Sequence, residues 1–106
     1  MSGTAAAARL RDEAWIGDAV LALYARLKIL REDGRLDGEK AVRMSSNRFL
    51  AALGEPTAVE AAIGRVYAEQ GLEAAFAHIE RVIIPLFEKQ EQRRARAFAA
   101  RPVKTA

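Results

Sequence analysis

The stretch AWIGDAVLALYARL, Ala14 to Leu27, constrains the fold most, because its only charges are Asp18 and Arg26. Ile16, Val20, Leu23, Leu27 and Leu30 recur at three- and four-residue spacing and define one apolar helical face. The reverse face carries Ala14, Leu21, Ala22, Ala25 and Ile29 and is apolar too. A helix apolar nearly all round is expected to be covered on more than one side. In a chain of 106 residues, which makes one domain, the cover comes from a wrap of the other helices, from a second subunit, or from both.

The rest of the chain follows the same helical period, without an alternating strand pattern, so the fold class is all-α. The first helix is predicted from about Ala8 to Leu30 and ends at Glu32-Asp33-Gly34-Arg35. Asp37 is an N-cap for a second stretch reaching about Leu53, which Ser45-Ser46-Asn47 breaks or re-caps midway. After the turn Gly54-Glu55-Pro56, a third helix runs from Thr57 to about Gln70 and stops at Gly71. A fourth carries Phe76, Ile79, Val82 and Ile83, and Pro85 kinks or divides it.

Charge is distributed unevenly. The net charge is +3, yet Lys89, Arg93, Arg94, Arg96, Arg101 and Lys104 face only Glu91 within their stretch, so the remainder of the chain is slightly acidic. The domain reading is therefore a helical unit over 1–91 and a basic C-terminal tail over 92–106. Such a tail either tracks phosphates or is a solvated helix end. The chain has no Cys, which excludes disulfides and thiolate metal sites and suits a reducing cytoplasm. No run approaches the roughly 20 apolar residues of a membrane span, and MSGTAAAARLR lacks a signal core, so no membrane association and no targeting are expected.

Asp18 needs hydrogen-bond donors, a cation or a solvent-reaching cleft, because an unpartnered carboxylate is expensive to desolvate. Arg26 and Arg11 are structural partners within reach of its helix. Glu60, in PTAVEAAIGRVY, is the second carboxylate of interest. Thr57-Ala58-Val59-Glu60 has capping-box spacing, which gives Glu60 a purely structural purpose. Gly17 and Gly64, however, each cost about 1 kcal/mol against Ala inside a helix, and such glycines signal the close approach of another backbone. If the two helices cross there, Asp18 and Glu60 converge. Their mutual repulsion is then relieved by a divalent cation, and oxygen ligands without Cys or clustered His suit magnesium.

These residues carry a resemblance. WIGDAVLALYARLKIL and TAVEAAIGRVYAEQGLEAA together resemble the ribonuclease III family, most closely its Mini-III branch. The first is similar to the family's Gly-Asp signature helix and the second to its later carboxylate helix. Ser46-Asn47 with Leu50-Ala51 is similar to the family's S-N-x-x-L-A segment, and the likeness extends from about Leu10 to Glu88. The resemblance implies an all-helical homodimer that cuts both strands of double-stranded RNA with magnesium and leaves short 3′ overhangs. For the Mini-III branch, the implied use is ribosomal RNA processing. Asp18 and Glu60 would be catalytic metal ligands, with Glu39 of LDGEK as an outer acid and no small-molecule cofactor. RNA contacts would fall to Lys40, Arg43, Arg48, Arg93, Arg94 and Arg96. The alternative is a non-catalytic RNA-binding or ribosome-associated scaffold on the same fold.

The chain departs from the family pattern in three places. Ala14 stands where typical members have a Glu, and Thr57 where they have an Asp, although Mini-III sequences also look like A-x-x-G-D and S-T-A-F-E at these places. The link Leu53-Gly54-Glu55-Pro56 is shorter than the helical, basic insertion of the relatives. Elsewhere the chemistry is thin. His78 reads as a partly buried helix residue, Trp15 and Phe76 as core or interface, and Asp12-Glu13 and Glu32-Asp33 as solvent-facing charges. Glu13 lies one residue from the family's Glu position, about a quarter turn around the helix.

Overall fold

The computed structural model describes residues 2–100, and Arg101 and Lys104 of the basic stripe lie outside the described residues. Among the described residues six helices follow one another: α1 (Ser2–Asp33), α2 (Gly38–Ser45), α3 (Asn47–Leu50), α4 (Pro56–Gln70), α5 (Leu72–Val82) and α6 (Ile84–Ala99). Among the described residues there is no strand, so the chain is all-α. No described helix is long and apolar enough to cross a membrane.

Local chemistry sets most boundaries where the sequence places them. The Asp37 carboxylate accepts from the Lys40 amide at 3.0 Å and opens α2. Ser46 then turns into extended backbone and re-caps the chain as α3, its hydroxyl accepting from the Phe49 amide at 3.2 Å. Gly71, at a positive φ of 92°, ends α4, and its amide donates to the Tyr67 carbonyl at 2.9 Å. Pro85 divides the last helical stretch: α5 ends at Val82, and α6 starts at Ile84 with the proline in its first turn, where a missing N–H is tolerated. From there α6 runs through residue 92 to Ala99, so part of the basic stripe continues the helix without a break.

Two helix starts differ: α1 begins at Ser2 rather than near Ala8, because alanines 5–8 are the strongest helix formers, and runs to Asp33, past Leu30, and α4 is capped in another way. The cap of α4 is Glu55, whose two carboxylate oxygens accept from the Thr57 and Ala58 amides at 3.2 and 2.8 Å. Pro56 occupies the first turn, and the helix starts one residue before Thr57. The capping box expected of Thr57 and Glu60 is therefore replaced, and Glu60 is released from that duty.

The core gathers on α1 from a different face than the leucine stripe suggests. Leu21 and Ala25 are fully buried, with Val20 and Tyr24 nearly so, against Met44 of α2, Leu50 of α3, Ile63 of α4, Ile79 of α5 and Phe87 of α6, and Ile29 is buried as well. Of the stripe itself only Val20 is buried. Ile16, Leu23, Leu27 and Leu30 remain 41–52% exposed. The small residues of the reverse face let α4 and α5 approach closely, and close approach decides which side of an evenly apolar helix becomes core. Phe76 joins this core, its ring edge-on to Tyr24 at 5.2 Å. Trp15 does not, at 78% exposed.

Polar ties fasten α6 back onto the body. The buried Lys28 ammonium sits 2.6 Å from Glu32 and 2.9 Å from Glu88 of α6. Arg43 of α2 donates through Nε and Nη2 to both oxygens of Glu91, each at 2.9 Å. Glu13 is paired with Arg65 and Asp33 with Lys40, so three of the four acids expected to face solvent are held by cations.

Candidate functional site

Helices α1 and α4 cross at two glycines that face each other. A Cβ on Gly17 would collide with the Glu60 carbonyl, and a Cβ on Gly64 with the Glu13 carbonyl. No side chain separates the two backbones here, which is the reason glycine stands at both positions. The crossing fixes what comes next to it. Asp18 follows Gly17, and Glu60 lies one turn before Gly64, so the two carboxylates meet at the edge of the contact.

There they line an open groove with Arg11, Ala14, Trp15 and Thr57. Residues 11, 14, 15 and 18 form one ridge of α1, and 57 and 60 one ridge of α4. Asp18 is exposed and Glu60 half-buried. Solvent access thus answers the desolvation problem of Asp18, and among the described residues it forms no ion pair with Arg26 or Arg11.

Glu60 carries the larger burden. Its carboxyl is pushed up to about 7, first by burial, then by a hydrogen bond to the Asp18 carboxylate and by the charges of Asp18 and Glu55. Below about pH 7 the Glu60 carboxyl is protonated and can donate to the Asp18 carboxylate. A divalent ion would replace that proton by satisfying both carboxylates. The donor set fits magnesium, which keeps several waters and takes one or two carboxylates from a protein. It is a sparse set: among the described residues no group of three or more acidic, His or Cys side chains converges.

The other expected site residues are scattered. Glu39 is exposed in the first turn of α2 and does not line the groove. Lys40 is engaged by Asp33 and Arg43 by Glu91. Arg48 and Arg94 face a different cleft, which they share with Arg43. Arg93 and Arg96 are exposed on α6. Glu13 points to α4 and pairs with Arg65 at 3.0 Å, so it does not stand in for an acid at Ala14. His78 is half-buried on α5, and burial and the Arg81 charge lower its pKa. Arg11 and Trp15 went unassigned to the groove in the sequence, although their spacing of seven and three residues from Asp18 places all three on one helix face.

Comparisons with family models, with characterised proteins and with solved structures found no match. Fold and site together define a class: an all-α chain with a paired-carboxylate groove at a glycine-packed helix crossing.

Proposed function

We propose that the chain is a magnesium-dependent endoribonuclease of ribonuclease III type that acts on double-stranded RNA as a symmetric homodimer in the cytoplasm. The observation that carries this reading is the Asp18–Glu60 pair, brought together in an accessible groove, and the raised pKa of Glu60 beside Asp18 is the repulsion that a cation would relieve. Magnesium, when bound, supplies an activated water and neutralises charge developing on the phosphate and the leaving oxygen. Asp18 and Glu60 would hold it. Arg11 at the rim attracts the phosphate, and the exposed Trp15 presents a flat apolar surface beside the reacting strand. The groove opens toward solvent, as a duplex too large to be enclosed requires.

The dimer rests on the uncovered face of α1. Ile16, Leu23, Leu27 and Leu30, with Leu36 and Val42 at 82% and 62% exposed, form an apolar surface that a single chain leaves wet. Pairing across a twofold axis buries such a patch on both copies at once. Two copies also bring two acidic grooves, one for each strand.

The scaffold reading draws on a specific observation as well, the presence of only Asp18 and Glu60 where Ala14 and Thr57 line the same groove. One experiment separates the two. Long duplex RNA is incubated with magnesium and either the wild-type chain or Asp18→Asn. Cleavage by the wild type and none by the variant supports the enzyme; binding without cleavage in both supports the scaffold. Trp15, the sole tryptophan, lies in the groove and reports magnesium directly through its fluorescence, without any turnover.

A further inference from the structure

A second concave site lies between the α2–α3 corner and α6. It is a cleft of about 450 Å³, within the range of small-ligand sites. Its polar lining comprises Arg43, Ser46, Arg48, Gln90, Glu91 and Arg94. Phe49 and Phe87 form its floor, both buried and packed edge to face at 5.8 Å, so the wall beneath is rigid. None of its lining residues belongs to the acidic groove.

The charges are arranged unequally. Glu91 is consumed by the two-point bond from Arg43, which neutralises one cation with the cleft's only acid and pins α6 to α2. Arg48 from α3 and Arg94 from α6 are exposed and have no ion-pair partner among the described residues. The cleft thus keeps a net charge of two positive units on two guanidinium groups that come from different helices, with neutral donors from Ser46 and Gln90 nearby. The Ser46 oxygen already accepts from the Phe49 amide, so its own proton is free to be donated. Two like charges held in one concavity repel each other unless an anion lies between them. A guanidinium fork matches the oxygens of a phosphate in geometry and charge.

We infer that this cleft is a phosphate-binding site in which Arg48 and Arg94 clamp the anion from opposite walls, while the Arg43–Glu91 pair holds those walls in register. The site takes a phosphate group carried either by a nucleic-acid strand or by a small free compound. It stands whether or not Asp18 and Glu60 cut RNA, because it shares no residue with them.

The test uses the full chain with inorganic pyrophosphate as probe, at constant ionic strength in chloride, read by thermal shift and by NMR titration. A saturable rise in melting temperature is expected, with amide shifts concentrated around residues 46–49 and 90–94. Arg48→Gln with Arg94→Gln should weaken binding about tenfold or more, since each removes charge-assisted hydrogen bonds to the anion. Arg9→Gln with Arg35→Gln removes the same charge from exposed positions elsewhere and should leave affinity unchanged. All four side chains are exposed, and circular dichroism of both variants verifies that the fold persists. Competition identifies the source: duplex RNA displacing pyrophosphate assigns the cleft to a strand phosphate, whereas pyrophosphate bound undisturbed beside RNA assigns it to a free phosphate compound. Absence of saturable binding, or equal weakening by the two double substitutions, overturns the proposal.

Discussion

The two sides of α1 at Gly17 show how neighbouring residues come to opposite ends. On one side, Gly17 and Gly64 bring α1 and α4 into backbone contact, and the crossing tolerates not even a methyl group. On the other, Ile16, Leu23, Leu27 and Leu30 carry the more hydrophobic side chains and remain about half exposed. Hydrophobicity alone would predict the reverse. Small residues permit approach, and approach lets α4, through Ile63, and α5 cover Leu21 and Ala25. The bulky stripe holds neighbours at a distance and is left for a separate surface. Asp18 sits at the boundary, close enough to the crossing to meet Glu60 and far enough out to keep water.

The largest expected effect lies on the closed side. Gly17→Ala or Gly64→Ala forces a Cβ into a backbone carbonyl that has no flexible end to yield, and each should destabilise by about 3 kcal/mol or more in chemical denaturation. Near-wild-type stability in both variants would break the account of the crossing. Next comes the buried cation of the same face: Lys28→Met removes the ammonium shared by Glu32 and Glu88, both nearly half exposed, and should lower stability by about 1 kcal/mol by the same measurement.

On the open side, Leu23→Lys with Leu27→Lys should convert the proposed dimer to a monomer in light scattering while retaining helical circular dichroism, because neither side chain belongs to the core cluster. Loss of helix on this substitution would mean that the stripe supports the single chain after all. At the boundary, Glu60 makes stability depend on pH. Its folded pKa of about 7 lies above the ordinary 4.5, so the folded state holds a proton that the unfolded chain releases. The stabilisation is complete below about pH 4.5 and disappears as pH rises through about 7. Discounted for solvent screening at a half-buried site, it amounts to about 1 kcal/mol. In metal-free buffer, melting temperature should therefore fall between pH 5 and 8, and both Glu60→Gln and added magnesium should flatten that slope. The smallest effect belongs to Arg65→Ala, whose exposed pair with Glu13 should leave the melting temperature almost unchanged.

Much of the local structure was legible in the sequence because its causes are local. Asp37, Ser46, Gly71 and Pro85 act within three or four residues of themselves, and each ends or starts a helix where its chemistry requires. The exceptions were the α1 start, which lies at Ser2 rather than near Ala8, and the α4 start, where the Glu55 carboxylate accepts from the Thr57 and Ala58 amides and Pro56 has no amide N–H to satisfy. The glycines also announced a crossing, since their expense inside a helix has few other uses.

The all-α class, the helix boundaries set by caps and breakers, and the choice of Asp18 and Glu60 as the carboxylates of interest are readable from the chain alone. Packing between helices settled which face of α1 became core, set Glu39 apart from the groove, brought Arg11 and Trp15 into it, and paired Arg43 with Glu91, 48 residues away. The physical reason is reach. A cap or a proline acts through bonds one turn long, whereas burial and ion pairing depend on which helix arrives opposite, and an evenly apolar helix does not encode that choice in its own period.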